Sequence, residues 1–229
     1  TLAFGYLPEE RGIYMKAKVL EQLIYFGMLR GMKKAEAKQS AQELMEQLQV
    51  TEYQNMQAEK LSKGNQQKIQ LIAAIIHRPQ LIFLDEPFSG LDPVNAVVLR
   101  NLVKKLVKEG KYIILSTHQM ETVEEYCKNL VILDRGKTLL SGTLKDIKRA
   151  YGRSNLIVSA EKDVRDIARQ EGLEVFEERA AETEYKIQSE EMACRFLKHM
   201  LAEEIYPLKF QIMEPSLQEI FVKKAGESR

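Results

Sequence analysis

The stretch Leu81-Ile82-Phe83-Leu84-Asp85-Glu86-Pro87 decides the fold, because four apolar residues lead directly into two adjacent carboxylates. A second apolar run, Tyr112–Leu115, follows a segment with helical apolar spacing that covers residues 93–109. A strand, a helix and a strand in this order predict a βαβ unit with two buried parallel strands. Ligands bind beyond the carboxyl ends of the strands in such a sheet, so Asp85 and Glu86 are expected at a ligand-facing edge.

The segments on either side of this unit predict an α/β domain followed by a small α+β domain. Helices are expected at residues 19–32, 34–48, 65–77, 120–127 and 216–224, and a hairpin at 130–140. Residues 156–212 have the order β-α-β-β-α-β, which is typical of a ferredoxin-like domain. We therefore predict two domains, residues 1–150 and 151–229.

Composition excludes several classes of protein. The net charge is +1, so nothing favours nucleic acid or an anionic membrane surface in general. Residues 151–229 carry 12 Lys and Arg against 16 Asp and Glu, a net charge of −4 that leaves +5 for residues 1–150. No apolar run approaches the ~20 residues that span a bilayer. Two cysteines in 229 residues do not form a disulfide scaffold and favour a reducing, cytosolic setting.

Three side chains at the predicted sheet edge have the chemistry of a phosphoryl-transfer site. Asp85 is suited to holding Mg²⁺ through water, and Glu86 is suited to activating an attacking water. His118, which follows the second apolar strand, can hydrogen-bond a phosphate. Taken alone, the acidic pair is also compatible with a solvated turn, and a lone histidine after a strand is more often structural.

Two helix starts could hold anions or simply be capped. Ser62 precedes the helix at 65–77, where free backbone N–H groups and the helix dipole attract anions, and Gly64 allows close approach to the backbone. Asp92 followed by Pro93 is a typical helix N-terminus. Taken alone, Ser62 and Asp92 are each also explained as an ordinary helix N-cap.

The order of these motifs resembles that of the ATP-binding subunits of ABC transporters over roughly residues 4–145. Leu61–Lys68 resembles the family's signature loop, Leu81–Glu86 its Walker B strand and Ser89–Asp92 its D-loop. His118 resembles the switch histidine, and Gly5–Glu9 resembles the Q-loop. The resemblance implies a P-loop NTPase-like ABC ATPase core, here partial, with a parallel sheet and a helical subdomain, before the ferredoxin-like domain.

The resemblance also implies roles, with ATP and Mg²⁺ as cofactors. Glu86 would be the general base, and His118 would contact the γ-phosphate. Asp85 and Glu9 would be associated with Mg²⁺. The contacts at the seam with a second ATPase subunit would be Ser62, Gly64, Asn65 and Asp92. That subunit would pair head to tail with the first, and a transmembrane permease would be the other partner. The protein would then lie on the cytoplasmic face of the membrane, bound to the permease and to no nucleic acid.

The sequence departs from the family pattern at three places. It contains no G-x-x-x-x-G-K-[ST], and Gly136-Lys137-Thr138 falls in the predicted hairpin with Val131 where the first glycine is needed. The chain is therefore expected to be truncated before its P-loop and to bind ATP weakly or not at all. Glu9 stands where the Q-loop usually has Gln, and Asn65 replaces the final Gln of the signature.

Two further segments resemble the sodium- or drug-export branch of bacterial ABC ATPases. They are Leu7–Gly12 and, near the end of the chain, Glu214–Phe221. Two rival hypotheses stay open. One is a soluble ABC ATPase that acts on ribosomes or DNA, although neither tandem ATPase domains nor long coiled-coil insertions are visible. The other is a non-catalytic interaction module.

Overall fold

The computed structural model describes residues 4–10 and 12–227, the side chain of residue 227 excepted, and contains two compact units, Thr1–His118 and Gln119–Arg229. Two predicted features reach outside the described residues: the strand predicted from Leu2 and the export-branch segment at Arg11. Among the helices of residues 4–10 and 12–227, none has the length and apolarity needed to cross a bilayer.

Residues 4–10 and 12–118 of the first unit form three strands and four helices. Its elements are β1 Phe4–Leu7, α1 Val19–Leu29, α2 Lys34–Gln47, α3 Lys63–Ile75, β2 Leu81–Asp85, α4 Pro93–Lys108 and β3 Tyr112–Ser116. Two short 3-10 turns, Thr51–Tyr53 and Ala58–Lys60, precede α3. The helices and strands predicted from periodicity are confirmed here, with bounds shifted by at most a few residues.

The three strands form a parallel sheet in the order β1-β2-β3. Leu7 pairs with Leu84, and Asp85 pairs with Ser116, so the carboxyl ends of all three strands lie at one edge. The core of the unit comes from α3 and the inward residues of the sheet, such as Ile72 and Ile82, which are fully buried. The parallel βαβ prediction is therefore confirmed.

The prediction that both apolar strands are buried is wrong for β3. Tyr112 and Ile114 on β3 are exposed, whereas Ile82 and Leu84 on β2 are buried. Within the described residues β3 lies at an edge of the sheet and β2 in its centre, which explains the difference. A short apolar run shows that a strand is present but does not show how many of its faces are covered.

Residues 119–227 of the second unit form six strands and five helices. They are α5 Met120–Tyr126, β4 Asn129–Asp134, β5 Lys137–Thr143, α6 Leu144–Ala150, β6 Asn155–Ala160, α7 Arg165–Gln170, β7 Glu174–Glu178, β8 Thr183–Lys186, α8 Glu190–Ala202, β9 Pro207–Met213 and α9 Leu217–Glu227. The pair β4-β5 is the predicted hairpin, and Gly136 lies in its turn with a positive φ. The strands β6 to β9 form an antiparallel sheet in the order β7-β8-β6-β9. This is the arrangement expected of the predicted β-α-β-β-α-β sequence.

The compact units divide at residue 118, whereas the sequence predicts a domain boundary at residue 150. The long-range packing of α9 accounts for the difference. Leu217 and Ile220 on this helix are buried against Leu130 and Ile132 of the hairpin and against Ile147 of α6. The end of the chain therefore packs on elements that precede residue 150, and the division into domains at 1–150 and 151–229 stays a prediction.

Candidate functional site

The candidate site lies at the edge of the first unit where β2 and β3 end. Asp85 and Ser116 are paired in the ladder, and the N–H of Glu86 donates to the carbonyl of Ser116 at 3.0 Å. This bond extends the pairing one residue past the strand. The residues that follow the two strands, Glu86 on one and Thr117 and His118 on the other, are thereby brought side by side.

Glu86 is the centre of this cluster. It is 9% exposed, and its φ of +44° places a non-glycine residue in the left-handed region, a conformation that is uncommon and often found at functional sites. Oε1 accepts the backbone N–H of His118 at 2.7 Å and lies 2.6 Å from His118 Nδ1. Oε2 accepts the hydroxyl of Thr117 at 3.0 Å. The structure thus brings Glu86 and His118 together, as the predicted common edge requires.

The imidazole of His118 is far more open than the carboxylate it contacts. The side chain of His118 is 75% exposed, whereas that of Glu86 is 11% exposed. When Nδ1 carries the proton that it shares with Oε1, Nε2 is the ring atom available to other groups. The pair therefore combines a buried acceptor, the Glu86 carboxylate, with an accessible imidazole ring.

Asp85 has one oxygen fixed by the chain. The hydroxyl of Ser116 donates to Oδ1 at 2.5 Å, and no described residue forms a hydrogen bond with Oδ2. Mg²⁺ keeps most of its waters and needs one or two carboxylates besides phosphate oxygens, so a single open carboxylate oxygen fits that ion. A dedicated cage of three or more ligating side chains is not found among residues 4–10 and 12–227. Glu9, the other predicted Mg²⁺-associated residue, is exposed two residues after β1 ends.

Two predicted seam residues are helix caps in the structure. Ser62 Oγ accepts the N–H of Asn65 at 3.3 Å, which caps α3. Asp92 Oδ1 accepts the N–H groups of Val94 and Asn95 at 3.1 and 3.0 Å, which caps α4. These hydrogen bonds hold the pKa of the Asp92 carboxyl below its usual value. The capping interpretation is confirmed, and it leaves the hydroxyl proton of Ser62 available for another acceptor.

Gly64 lies where two helix starts pack closely. A Cβ at this position would lie 2.8 Å from Nδ2 of Asn95, so the start of α3 touches the start of α4. A Cβ on Gly90 would likewise lie 2.7 Å from Lys63 Nζ, and the φ of Gly90 is +67°. The predicted signature loop and D-loop are therefore neighbours in space.

A buried lysine was missed by the sequence analysis. Lys68 on α3 is 4% exposed, and burial lowers the pKa of its ammonium, while the charges of Asp92 and Glu52 act in the opposite direction. Its position six residues after Ser62, inside the quoted motif, was visible, but its burial depends on the packing of α3.

Ser116 and Thr117 were also missed, although they stand directly before His118 in the sequence. Their hydroxyl groups contact the two acidic side chains of the site, one each. A polar pair directly after an apolar strand was the available signal. Which carboxylate each hydroxyl meets follows from the register of β2 against β3, and periodicity does not give that register.

Comparisons with known proteins identify the family of this chain. Residues 6–124 match the model of an AAA domain described as putative AbiEii toxin, Type IV TA system, and residues 142–225 match the C-terminal domain of DrrA1-3-like ATP-binding proteins. The ABC transporter ATP-binding protein YhaQ of Bacillus subtilis (strain 168) is 45% identical over 97% of this chain and 74% of its own length. The linearmycin resistance ATP-binding protein LnrL of the same strain is 30% identical over 98% of this chain and 75% of its own length.

A solved structure supports the fold. It is described as the structure of an ATP-binding subunit of an ABC transporter, and it superposes with a TM-score of 0.60 at 34% identity. The match covers 65% of this chain and 62% of that chain. The chain belongs to the family of ABC transporter ATP-binding proteins, and the intact protein is an ATPase of this class.

Proposed function

We propose that the intact protein hydrolyses ATP at the edge formed by β2 and β3 and couples this reaction to export through a separate membrane permease. The observation that carries the proposal is the Glu86 carboxylate, buried at the end of a parallel strand and held by His118. Glu86 acts as the general base that orients and deprotonates the attacking water. His118 orients that carboxylate through Nδ1 and presents Nε2 to the γ-phosphate.

Asp85 and Glu9 are the residues that would hold Mg²⁺, Asp85 through its open oxygen and a water. The ion, when bound, neutralises charge on the phosphate oxygens. Ser62, Gly64, Asn65 and Asp92 face the nucleotide of a second ATPase subunit in a head-to-tail dimer. The adjacency of the two capped helix starts supports this assignment, because both would contribute to one surface.

The 229 residues alone are expected to bind ATP weakly, because they include no G-x-x-x-x-G-K-[ST] loop. The experiment on catalysis therefore uses the intact protein. Glu86→Gln keeps the shape of the side chain and removes the base, so turnover should fall about 100-fold or more while ATP affinity stays within about twofold. Glu109→Gln, at an exposed position that ends α4, is the matched control. Hydrolysis by Glu86→Gln at the wild-type rate would remove Glu86 from the role of base.

An exposed aromatic cluster supports a membrane-protein partner. Tyr14 stacks on Phe26 with ring centroids 5.6 Å apart, and Tyr25 lies 6.3 Å from Tyr14. Tyr14, Tyr25 and the adjoining Leu29 are all exposed, and Leu29 is 62% accessible. Exposed aromatic and aliphatic groups in one patch favour burial in a protein interface. The permease would place this protein on the cytoplasmic face of the membrane.

Membrane recovery tests this partner against the ribosome or DNA alternative. The intact protein should sediment with membranes that contain its permease, and Tyr14→Ser with Tyr25→Ser should reduce the bound fraction several-fold. Tyr206→Ser, which changes a still more exposed tyrosine of the second unit, is the control. Recovery with ribosomes or DNA, and none with membranes, would favour the alternative.

A further inference from the structure

The hydroxyl groups of Ser116 and Thr117 form a matched pair at the end of β3. Successive residues of a strand point to opposite sides of the sheet. Each of these two side chains nevertheless reaches a carboxylate at the end of the neighbouring strand β2, either Asp85 or Glu86. Ser116 Oγ contacts Asp85 Oδ1 at 2.5 Å, and Thr117 Oγ1 contacts Glu86 Oε2 at 3.0 Å. The left-handed φ of Glu86 turns its side chain toward Thr117 and His118.

The geometry points to Ser116 and Thr117 as positioning residues, which decide which oxygen of Asp85 and of Glu86 is open to ligand. This inference rests on the function proposed for the same site.

The count of acceptor positions on Glu86 gives the reason. An ionised carboxylate has about four lone-pair positions. The N–H and Nδ1 of His118 occupy two on Oε1, and Thr117 occupies one on Oε2. A water molecule therefore meets Glu86 at the remaining position on Oε2, beside the hydroxyl of Thr117. On Asp85 the hydroxyl of Ser116 holds Oδ1, and Oδ2 is left for a metal-bound water.

Among the described residues, three donors constrain the carboxylate of Glu86: the N–H and the ring of His118, and the hydroxyl of Thr117. The Thr117 hydroxyl is the one that a substitution removes while the backbone and the histidine stay in place. Loss of that donor frees the carboxylate to rotate about its terminal torsion, which is soft. A misplaced base loses rate without losing substrate binding, because the base acts on the attacking water only in the chemical step. A loss of rate without a loss of binding therefore distinguishes a positioning role of Thr117 from a role in general packing.

The first experiment compares Thr117→Val with Thr117→Ser in the intact protein. Valine keeps the shape and lacks the hydroxyl, whereas serine keeps the hydroxyl and lacks the methyl group. Turnover of Thr117→Val should fall about tenfold, and that of Thr117→Ser should stay within about twofold of wild type. The affinity for a fluorescent ATP analogue should change by less than about twofold in both. Equal loss in the two variants, or loss of affinity together with turnover, would overturn the inference.

A second measurement uses the 229-residue chain and does not depend on hydrolysis. The chain has three histidines, so the ring signals of His118 can be assigned by NMR with a His118→Gln variant. Thr117→Val should move the His118 ring signals, because the carboxylate that the ring contacts becomes mobile, and Thr117→Ser should leave them in place. Unchanged His118 signals in Thr117→Val would contradict the inference even if the proposed ATPase function is correct. Absence of ATPase activity in the intact wild type would instead refute the proposed function.

Ser116 gives an independent check through the metal. Ser116→Ala should raise, by several-fold, the concentration of Mn²⁺ needed to half-saturate the nucleotide-bound intact protein in an EPR titration, whereas Ser116→Thr should not. Equal metal affinity of Ser116→Ala and wild type would show that Asp85 needs no support from this hydroxyl.

Discussion

Each unit of the molecule contains one close contact between a histidine and a glutamate, and the surroundings of the two pairs differ. In the first unit His118 Nδ1 lies 2.6 Å from Glu86, and in the second His199 Nδ1 lies 3.1 Å from Glu171. The ring of His118 is 75% exposed, whereas that of His199 is 30% exposed.

The second pair is a link between two helices. Glu171 ends α7, His199 lies in the last turn of α8, and Arg195 of α8 approaches the other oxygen of Glu171 at 3.5 Å. Glu171 meets two groups of the same helix, so this carboxylate links α7 to α8. The pair at the sheet edge has an open ring, a left-handed backbone and an adjacent carboxylate. The comparison shows that the chemistry of a pair does not identify a site, whereas its placement and the exposure of its ring do.

The largest expected difference between the pairs is in turnover. In the intact protein His118→Ala should reduce ATP hydrolysis about 100-fold, because the base loses the group that orients it. His199→Ala should leave hydrolysis within about twofold. A steady-state ATPase assay on both variants measures this contrast, and comparable loss in the two would contradict the distinction drawn here.

Stability should show the opposite order with a smaller effect. His199→Ala removes a half-buried contact to a charged acceptor and should lower the free energy of unfolding by about 1 kcal/mol. His118→Ala removes a mostly exposed ring and should change it by no more than about 0.5 kcal/mol. Urea denaturation of the 229-residue chain provides the values. A larger loss in His118→Ala would mean that its ring is primarily structural.

A stability effect of similar size, which vanishes in acid, concerns a carboxylate of the second unit whose oxygens are all engaged by other residues. Glu219 of α9 accepts from Ser216 and from Asn155 and forms an ion pair with Lys186. Burial by itself raises the pKa of Glu219, but the hydrogen bonds from Lys186, Ser216 and Asn155 hold it below the usual 4.5. Because the folded pKa is the lower one, this stabilisation is complete above the unfolded pKa and is lost as the pH falls through the folded value.

Replacement of Glu219 by glutamine therefore has an effect that depends on pH. Near pH 7 Glu219→Gln should lower the free energy of unfolding by about 1 kcal/mol, and the difference from wild type should shrink as the pH approaches about 3. Urea denaturation at both pH values measures the difference, and Glu203→Gln, an exposed change after α8, is the control. A difference that grows on acidification would show that Glu219 is not held as an anion.

Local signals explain what the sequence predicted well. Asp92 followed by Pro93 marks the start of α4 because the cap and the fixed φ act within three residues. The strand β2 is recognisable because four apolar residues precede the acidic pair. The helix α6 was missed, although Thr143 and Asp146 form a cap at its start.

Features set by long-range contacts could not be predicted in the same way. The packing of Leu217 against Leu130 joins segments almost 90 residues apart and moves the compact-unit division away from residue 150. The exposure of Tyr112 depends on which strands neighbour β3, and the left-handed φ of Glu86 depends on its partners across the sheet. The sequence indicated the candidate residues at this sheet edge, and only the register of β2 against β3 determines which of their atoms meet.

A structure of the intact Glu86→Gln protein with ATP and Mg²⁺ tests the central claim most directly. The account predicts the γ-phosphate between His118 Nε2 and the side chain at position 86, with Asp85 reaching the ion through water. Nucleotide bound away from this edge, or a γ-phosphate beyond hydrogen-bonding reach of His118, would contradict it.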